Sequence, residues 1–276
     1  MNRIVQTAYA KVNLALHIRA RRANGYHEIE TLFAFLDDGD KVSVEPYPEM
    51  AIEVFGPYAQ GVPADDTNLA MRAALAMRAH FGVDQNIRVR IAKMLPVAAG
   101  IGGGSADAAA VARGLAELWE LDAEEAAIMD AVRSIGADLP ACVASRTIIG
   151  RGLGDRLEET SFANQIRGKP ILLVNPGKPC PTGPVYQAWD GIDRGSLAIL
   201  PSGWRNDLTA SAVALVPEIG RTLYHLAEME GVGQVAMSGS GATCFALFDT
   251  VENRDEAKAE LADIEPDWWM MGGILR

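Results

Sequence analysis

The feature that most constrains this chain is a glycine-rich segment in its first half. Residues 96–106 read Pro-Val-Ala-Ala-Gly-Ile-Gly-Gly-Gly-Ser-Ala. An apolar–polar alternation over residues 87–91 predicts a strand before this segment, and apolar residues spaced three and four apart over 111–119 predict a helix after it. The chain must therefore pass from a strand to a helix through a short loop whose glycines permit positive φ.

A loop of this kind is suited to binding phosphate. Glycine lets the backbone approach a ligand closely, and a helix N-terminus offers unpaired N–H groups and the positive end of a dipole. A Walker A loop requires a lysine at its end, which is absent here, and Ser105 occupies the third glycine position of a dinucleotide fingerprint. The alternative is a flexible loop with an ordinary serine N-cap. Ser105 can cap the helix, contact phosphate or ligate Mg²⁺, and the sequence leaves these three roles open.

Composition limits the class of protein and its partners. The chain has 276 residues, of which 49% are hydrophobic and 22% charged, enough to build one large globular domain or two small ones. The net charge of −11 argues against a nucleic-acid-binding module, which needs a basic surface. It does not argue against a nucleotide substrate, because Mg²⁺ and backbone N–H groups can neutralise phosphates locally.

Cysteine usage and hydropathy favour a cytoplasmic protein. Cys142, Cys180 and Cys244 are far apart and odd in number, which indicates a reducing compartment and no disulfide framework, and they show no metal-ligand spacing. No run approaches the ~18 apolar residues that span a bilayer. The first residues contain no uninterrupted apolar stretch, so we expect no signal peptide and no membrane partner.

The arrangement of predicted elements indicates an α+β fold. Strands and helices mix without strict alternation, which argues against a doubly wound parallel sheet. Turns are predicted at Asn24-Gly25 and Asp37–Asp40, and a break between two strands at Tyr9–Lys11. A polar stretch near residue 155 predicts two domains, 1–155 and 156–276. The pattern leaves open whether the last predicted strand, residues 270–275, joins the first domain.

Two polar groups in the first half are candidates for chemistry. Lys11 lies in an otherwise apolar segment, where its ammonium either faces water or serves a site. Asp138, before a short predicted helix, is either an N-cap or a catalytic carboxylate, and these two roles are compatible.

Two turns are further candidates. Asn24-Gly25-Tyr26-His27 is a turn followed by an aromatic ring and an imidazole, which are suited to stacking on a base and hydrogen bonding with it. The alternative is a hairpin turn without a ligand. The segment 238–243, Ser-Gly-Ser-Gly-Ala-Thr, is a second glycine-rich turn and by itself only weak support for a site.

Together these segments resemble the GHMP kinases, named for galactokinase, homoserine kinase, mevalonate kinase and phosphomevalonate kinase. The loop at 96–106 carries the resemblance to the whole family. The segments 10–14 (Ala-Lys-Val-Asn-Leu), 24–27, 135–140 (Ile-Gly-Ala-Asp-Leu-Pro) and 238–243 follow in the family's order and narrow it. They point to members that phosphorylate a cytidine-diphosphate-linked methylerythritol. The matching segments run from Ala8 to about Phe248, most of the chain.

The resemblance implies a two-domain α+β fold with the active site in the cleft between domains. It implies transfer of the γ-phosphoryl of ATP, with Mg²⁺, to the 2-hydroxyl of the tetritol, a step of non-mevalonate isoprenoid synthesis. By the same resemblance, Asp138 is the catalytic carboxylate with Lys11 beside it, and Pro96–Ala106 binds ATP. The residues implied for substrate binding are Asn13, Tyr26, His27, Tyr186 and Asp207, and the residue implied for Mg²⁺ is Ser105.

Alternatives remain at this point. Another small-molecule GHMP kinase, of the homoserine or mevalonate type, would have no use for the stacking pair Tyr26 and His27. A non-catalytic nucleotide or sugar sensor would be expected to lack Lys11 or Asp138. Whether the protein is a monomer or a homodimer is open. The family loop often carries glycine where Ala98 and Ala99 stand, so we expect these two alanines to have ordinary backbone angles.

Overall fold

The computed structural model describes residues 3–97, 99–197 and 204–276. Ala98, assigned above to ATP binding, lies outside the described residues. The strands and helices follow one another as β1 (Ile4–Arg21), β2 (His27–Pro46), β3 (Ala51–Phe55), α1 (Leu69–Phe81), β4 (Ile87–Ala92), α2 (Gly103–Leu118), α3 (Glu125–Val132), α4 (Leu139–Ala144), β5 (Ile148–Gly152), β6 (Arg156–Glu158), α5 (Phe162–Ile166), β7 (Pro170–Asn175), α6 (Thr182–Gln187), α7 (Thr209–Leu215), α8 (Pro217–Ala227), β8 (Val232–Met237), β9 (Cys244–Phe248), α9 (Val251–Ile264) and β10 (Trp269–Ile274).

The chain divides into two compact units, each built from separate stretches of sequence. Unit 1 comprises Met1–Lys11, Asp38–Val97 and Gly102–Ser145, and unit 2 comprises Val12–Asp37, Ala98–Ile101 and Arg146–Arg276. The sequence predicts a single division of the chain, near residue 155. The units differ from that division because β1 and β2 each contribute residues to both.

Two breaks predicted in the N-terminal strands are wrong. Both Tyr9–Lys11 and Asp37–Asp40 lie inside continuous strands, β1 and β2. At the second position, Asp40 is fully buried in unit 1, and its carboxylate accepts the N–H groups of Met94 and Leu95. Gly39 does not form a turn; it allows the backbones of β1 and β2 to approach each other closely. A Cβ on Gly39 would lie 2.0 Å from the carbonyl oxygen of Ala8.

Unit 1 packs two helices on strands. Strand β3 pairs parallel with β4, and β4 pairs antiparallel with Lys41–Pro46 of β2. Helices α1 and α2 pack against each other through alanine-rich buried faces, whose small side chains let the backbones approach. Helix α2 also lies against the strands, because a Cβ on Gly114 would meet Val44 at 3.1 Å. This packing holds α2 against α1 and the strands of unit 1.

Unit 2 contains an antiparallel sheet in the order β10-β7-β9-β8. All six residues of β7 are buried, and helices α7, α8 and α9 contribute Ala212, Ile219 and Leu261 to the same core. The predicted C-terminal strand is β10, which pairs with β7 and so belongs to unit 2. Strand β5 pairs antiparallel with Ile29–Phe33 of β2. The mixture of helices with parallel and antiparallel pairs confirms the α+β class.

Among the described residues, no helix combines the length and the apolar character needed to cross a bilayer.

Candidate active site

Unit 1 contains a buried lysine paired with a partly exposed carboxylate. Lys11 Nζ lies 3.1 Å from Asp138 Oδ2, and the side chains are 5% and 36% exposed. Lys11 is therefore not a solvent-facing lysine. Burying an ammonium is costly without a partner, and the carboxylate supplies one. Asp138 still reaches solvent, so a ligand can approach the pair from its side.

Asp138 stands at the N-terminus of α4, but its side chain makes no capping hydrogen bond. The carboxylate is directed to Lys11 instead, so the side chain of Asp138 does not cap α4, which was one of the two roles left open by the sequence.

Helix α4 is held by Arg113 of α2, a residue that the sequence analysis missed. Its Nη1 donates to the carbonyl oxygen of Cys142, and its Nη2 donates to that of Thr7, both at 2.7 Å. Arg113 thus ties the helix that carries Asp138 to the strand that carries Lys11. A single arginine within the alanine-rich stretch 106–116 is the signal that could have found it.

The glycine-rich loop enters α2 directly beside Lys11. The first bond of the helix runs from the N–H of Ala106 to the oxygen of Gly102, at 2.8 Å. The N–H groups of Gly103, Gly104 and Ser105 therefore stay outside the helix's own hydrogen-bond ladder. Gly102 is the N-cap, with φ of +67° and no side-chain cap bond, so Ser105 is not the cap. A Cβ on Gly102 would lie 2.9 Å from Lys11 Cε.

Under the loop lies an ionic cluster that the sequence analysis also missed. Lys93 Nζ donates to Asp40 Oδ2 at 2.5 Å and to Asp107 Oδ2 at 2.7 Å, and all three side chains are at least 96% buried. Burial raises the pKa of Asp107 to about 7, against the lowering effect of Lys93. Burial acts in the opposite sense on Lys93, but its two carboxylate partners outweigh it and raise the pKa of Lys93.

In unit 2, the beginning of the loop rests on the second glycine-rich turn. Thr243 Oγ1 donates to the oxygen of Ala99 at 2.5 Å, and Ser238 Oγ donates to that of Gly100 at 3.1 Å. Gly100 has φ of +76°, and a Cβ there would lie 2.5 Å from the oxygen of Gly241. Ala99 has no positive φ, as expected. The turn at 238–243 therefore shapes the loop.

The other loop residues assigned to ATP binding differ in exposure. Ile101 and Ala106 are buried, Pro96 and Ser105 are half-buried, and Val97 is exposed. The apolar side chains of Ile101 and Ala106 anchor the loop, whereas the backbone of 102–105 supplies the donors.

Unit 2 also brings together three rings. The Asn24-Gly25 turn forms as predicted, with Gly25 at φ +85° and the N–H of Arg22 donating to the oxygen of Tyr26. His27 starts β2, and its ring centroid lies 5.1 Å from that of Tyr186 and 5.6 Å from that of Trp189. His27 and Trp189 are buried, Tyr186 is half-buried, and Tyr26 is 62% exposed. Trp189 is a ring that the sequence did not single out; it lies just after the end of α6, and its backbone N–H donates to the oxygen of Tyr186 at 3.3 Å.

The imidazole of His27 is held neutral. Burial lowers its pKa, and the nearby guanidinium of Arg21 lowers it further. Arg21 Nε donates to His27 Nε2 at 3.3 Å, so Nε2 is the acceptor. In the neutral ring the hydrogen is then on Nδ1, and His27 can donate it to an acceptor on a planar ligand.

Asn13 and Asp207 are engaged within unit 2. Asn13 Nδ2 donates to Thr31 Oγ1 at 2.7 Å, and its backbone N–H donates to Ser238 Oγ. Asp207 accepts the N–H of Ile18 at 2.8 Å through Oδ2 and the Nε of Arg205 at 2.7 Å through Oδ1. Both oxygens of Asp207 thus hold the fold together, a structural function that the assignment to substrate binding did not anticipate.

The cysteines are free thiols, as expected from their number. Burial, followed by the charge of Asp138, raises the pKa of Cys142 to about 12, so it stays a thiol. Among residues 3–97, 99–197 and 204–276, no group of three histidine, cysteine or acidic side chains is placed to hold a metal ion.

The sequence matches two family models. GHMP kinases N terminal domain matches residues 68–146, which contain the loop, α2 and Asp138. GHMP kinases C terminal matches residues 196–266, which contain the turn at 238–243.

Individual proteins extend the match over nearly the whole chain. This chain is 49% identical to 4-diphosphocytidyl-2-C-methyl-D-erythritol kinase of Rhizorhabdus wittichii, over 98% of this chain and 94% of the relative. It is 48% identical, over 98% and 92%, to the protein of that name from Novosphingobium aromaticivorans. A crystal structure of 4-(cytidine 5'-diphospho)-2C-methyl-D-erythritol kinase matches with a TM-score of 0.83 at 32% identity, covering 98% of each chain.

More distant structures share the fold alone. A homoserine kinase from Cytophaga hutchinsonii matches with a TM-score of 0.71 at 16% identity, covering 100% of this chain and 96% of that one. The match to the cytidylyl kinases is higher in both measures. The chain is thus an ATP-dependent small-molecule kinase, and it belongs to the 4-diphosphocytidyl-2-C-methyl-D-erythritol kinase family of the GHMP kinases.

Proposed function

We propose that this protein transfers the γ-phosphoryl group of ATP to the 2-hydroxyl of 4-diphosphocytidyl-2-C-methyl-D-erythritol, a step of the non-mevalonate isoprenoid pathway. The observation that carries the proposal is the Lys11–Asp138 pair, 3.1 Å apart, beside the N-terminus of α2 in unit 1. The family's substrate and the rings of unit 2 support the cytidine part.

In this mechanism Asp138 acts on the acceptor hydroxyl. A hydroxyl is a poor nucleophile near pH 7, and a carboxylate within hydrogen-bond reach accepts its proton, which contributes ~10²–10⁴ in rate. A bond forms between the hydroxyl oxygen and the γ-phosphorus while the bond from that phosphorus to the β–γ bridging oxygen breaks. The proton goes to Asp138, and ADP leaves.

Lys11 assists both the carboxylate that accepts the proton and the phosphoryl group that is transferred. Its ammonium keeps the Asp138 carboxylate in position, and the same charge stabilises the negative charge on the phosphoryl group during its transfer. The N–H groups of Gly103, Gly104 and Ser105 bind phosphate oxygens, because they lie outside the helix's own ladder at the positive end of its dipole. Positioning and electrostatics of this kind dominate phosphoryl transfer.

We include Mg²⁺ in the proposal. Mg²⁺ bound with a nucleotide keeps several waters and takes one or two protein oxygens plus phosphates, so a cluster of three ligand side chains is not required. The half-buried Ser105 hydroxyl and the partly exposed Asp138 carboxylate are donors of this type. The ion would neutralise charge on the phosphates.

Recognition of the base is assigned to unit 2. Tyr186 and Tyr26 provide aromatic faces, and His27, with its hydrogen on Nδ1, can donate to the N3 or O2 acceptors of cytosine. Stacking of a base on an aromatic side chain contributes about 1–3 kcal/mol. The reducing environment implied by the three free thiols supports a cytoplasmic location.

The test is ADP release with Mg²⁺ and ATP over a panel of alcohols: the cytidylyl methylerythritol, mevalonate, homoserine and galactose. We expect turnover of the cytidylyl compound alone, with kcat reduced ~10²–10⁴-fold in Asp138→Asn. Asp130→Asn is the matched control, an ion-paired aspartate of the same unit that is mostly exposed. Turnover of mevalonate or homoserine by the parent would contradict the substrate, and a fully active Asp138→Asn would contradict the mechanism.

A further inference from the structure

The sequence excluded a Walker A loop because no lysine follows the glycines, but the structure brings a lysine to this loop from upstream. Lys93 comes directly after β4, and its Nζ lies under the first turn of α2. A Cβ added to Gly103 would lie 3.1 Å from that nitrogen, which is its nearest neighbour apart from adjacent residues and the backbone of α2 itself. The ammonium therefore lies against the backbone of the first residue of α2.

Lys93 is fixed there from two sides. Asp40, in β2, accepts from Lys93 through Oδ2 and from the N–H groups of Met94 and Leu95 through Oδ1. Asp107, in α2, accepts from Lys93 through Oδ2, while its Oδ1 is buried and has no hydrogen-bond partner among the described residues. Lys93 thus connects the end of β4 to α2 and to β2.

This cluster is more than a packing device because of its charge. A buried ion pair contributes little net stability compared with apolar side chains of the same volume. Its charges act over several ångströms with little screening, because all three side chains are shielded from solvent. The ammonium binds both carboxylates, which offset its charge at a distance, but at Gly103 the ammonium is the nearest charged group.

We propose that Lys93 is a positioning residue for the nucleotide phosphates, which holds the first turn of α2 in place and supplies positive potential through the backbone of Gly103. The inference rests on the proposed function, in that the loop is taken to bind the phosphates of ATP. Lys93 does not touch the ligand, since its side chain is 3% exposed. Its charge takes the place of part of the positive charge that the lysine of a Walker A loop supplies to the phosphates.

The test uses two variants of the full chain that change the cluster's charge in opposite directions. Lys93→Met removes a positive charge. Asp107→Asn keeps an acceptor for Lys93 and removes the negative charge that Asp107 carries above its raised pKa of about 7, so binding is measured in buffer well above that pH. Dissociation constants are measured for ATP, ADP, AMP and adenosine. We expect Lys93→Met to weaken ATP binding about tenfold or more, with a loss that shrinks as phosphates are removed and is absent for adenosine. We expect Asp107→Asn to bind ATP as tightly as the parent or more tightly.

A purely structural cluster would give another pattern. Both variants would then lose affinity, and equally for all four ligands, which would overturn the proposal. Lys41→Met is the matched control, since Lys41 is a partly exposed lysine of the same unit, ion-paired with Asp38 at 2.9 Å. If Lys93→Met fails to fold in a thermal melt, Asp107→Asn still decides, because weaker ATP binding with unchanged adenosine binding contradicts the sign predicted for it.

Failure of the proposed function would look different. A parent protein that binds ATP but does not turn over the cytidylyl compound would contradict the function, while the phosphate dependence of Lys93→Met would still report on the loop.

Discussion

The candidate functional side chains of the two units differ in charge: those of unit 1 form ion pairs, and those of unit 2 are mainly uncharged rings. In unit 1 these side chains are ion-paired, and all but Asp138 are buried: Lys11 pairs with the partly exposed Asp138, and Lys93 pairs with Asp40 and Asp107. In unit 2 they are rings, and burial and Arg21 lower the pKa of His27 and hold it neutral. Burial disfavours the charged form in both units. In unit 1 the carboxylate partners of Lys93 raise its pKa and keep it charged, whereas in unit 2 the like charge of Arg21 lowers the pKa of His27 further.

This difference predicts a division of labour in kinetics. Charges that act on the transferring phosphoryl group contribute to the transition state and should change kcat. Rings that bind a part of the substrate remote from the reaction contribute equally to ground and transition states and should change KM.

The largest effect is expected for Lys11→Met. Removing the ammonium beside Asp138 should lower kcat ~10²–10⁴-fold with a small change in KM for the acceptor, because the charge acts mainly in the transition state. Steady-state kinetics and a thermal melt measure this. A variant that is folded, with normal kcat and raised KM only, would break the comparison, because unit 1 would then behave as a binding surface.

Gly102→Ala separates backbone strain from contact with Lys11. The new Cβ would lie 2.9 Å from Lys11 Cε at a residue with φ of +67°. We expect a loss of stability of about 1–3 kcal/mol from the backbone, together with a marked fall in kcat from the displaced lysine. Gly82→Ala is the control, since Gly82 has φ of +65° in the same unit and no heavy atom within 4 Å of its added Cβ.

Gly82→Ala should therefore lose stability alone and keep its kcat. Equal kcat in the two glycine variants would show that the geometry of the loop next to Lys11 is irrelevant to catalysis.

A smaller effect is expected in unit 2 for Tyr186→Leu. Loss of the aromatic face should raise KM for the cytidylyl substrate about 5- to 160-fold, the equivalent of about 1–3 kcal/mol of stacking, and leave kcat nearly unchanged. Tyr224→Leu, at a tyrosine that is 64% exposed in the same unit, should change neither. A fall in kcat with unchanged KM would assign Tyr186 to the chemical step.

The smallest effect concerns the protonation of His27. We expect its pKa, followed by NMR of the four histidine rings, to lie below 6.5 and to rise in Arg21→Met, which removes the second of its two causes. Because the unfolded ring binds the proton more readily, the contribution to the free energy of unfolding is complete above pH 6.5 and decreases as pH falls through the folded pKa. An unchanged pKa in Arg21→Met would leave burial as the sole cause.

The sequence predicted features that depend on neighbours along the chain. The Asn24-Gly25 turn, the strand before the glycine loop and the helix after it follow from local backbone preferences, which a few adjacent residues express. The ordinary angles of Ala99 follow from the same preferences. The α+β class follows from the order of such elements.

The same local signals were misleading in β1 and β2. Polar residues and glycine at 37–40 are typical of a turn, but here Gly39 makes room for the carbonyl of Ala8, and Asp40 binds the N–H groups of Met94 and Leu95. Both partners are distant in sequence. A local pattern could not distinguish a solvated turn from a strand whose polar side chains are satisfied by the fold.

What the sequence by itself determined, through motif and resemblance, is the kind of chemistry: a loop for phosphate, a carboxylate, a lysine and a pair of rings. Tertiary structure alone decided which charges meet. Lys93 reaches the loop that lacks its own lysine, Arg113 holds the helix of Asp138, and Trp189 packs on His27. Each of these contacts joins residues that are distant along the chain, and local sequence patterns do not report which distant residues meet; for the two charged groups, burial also makes a polar partner necessary.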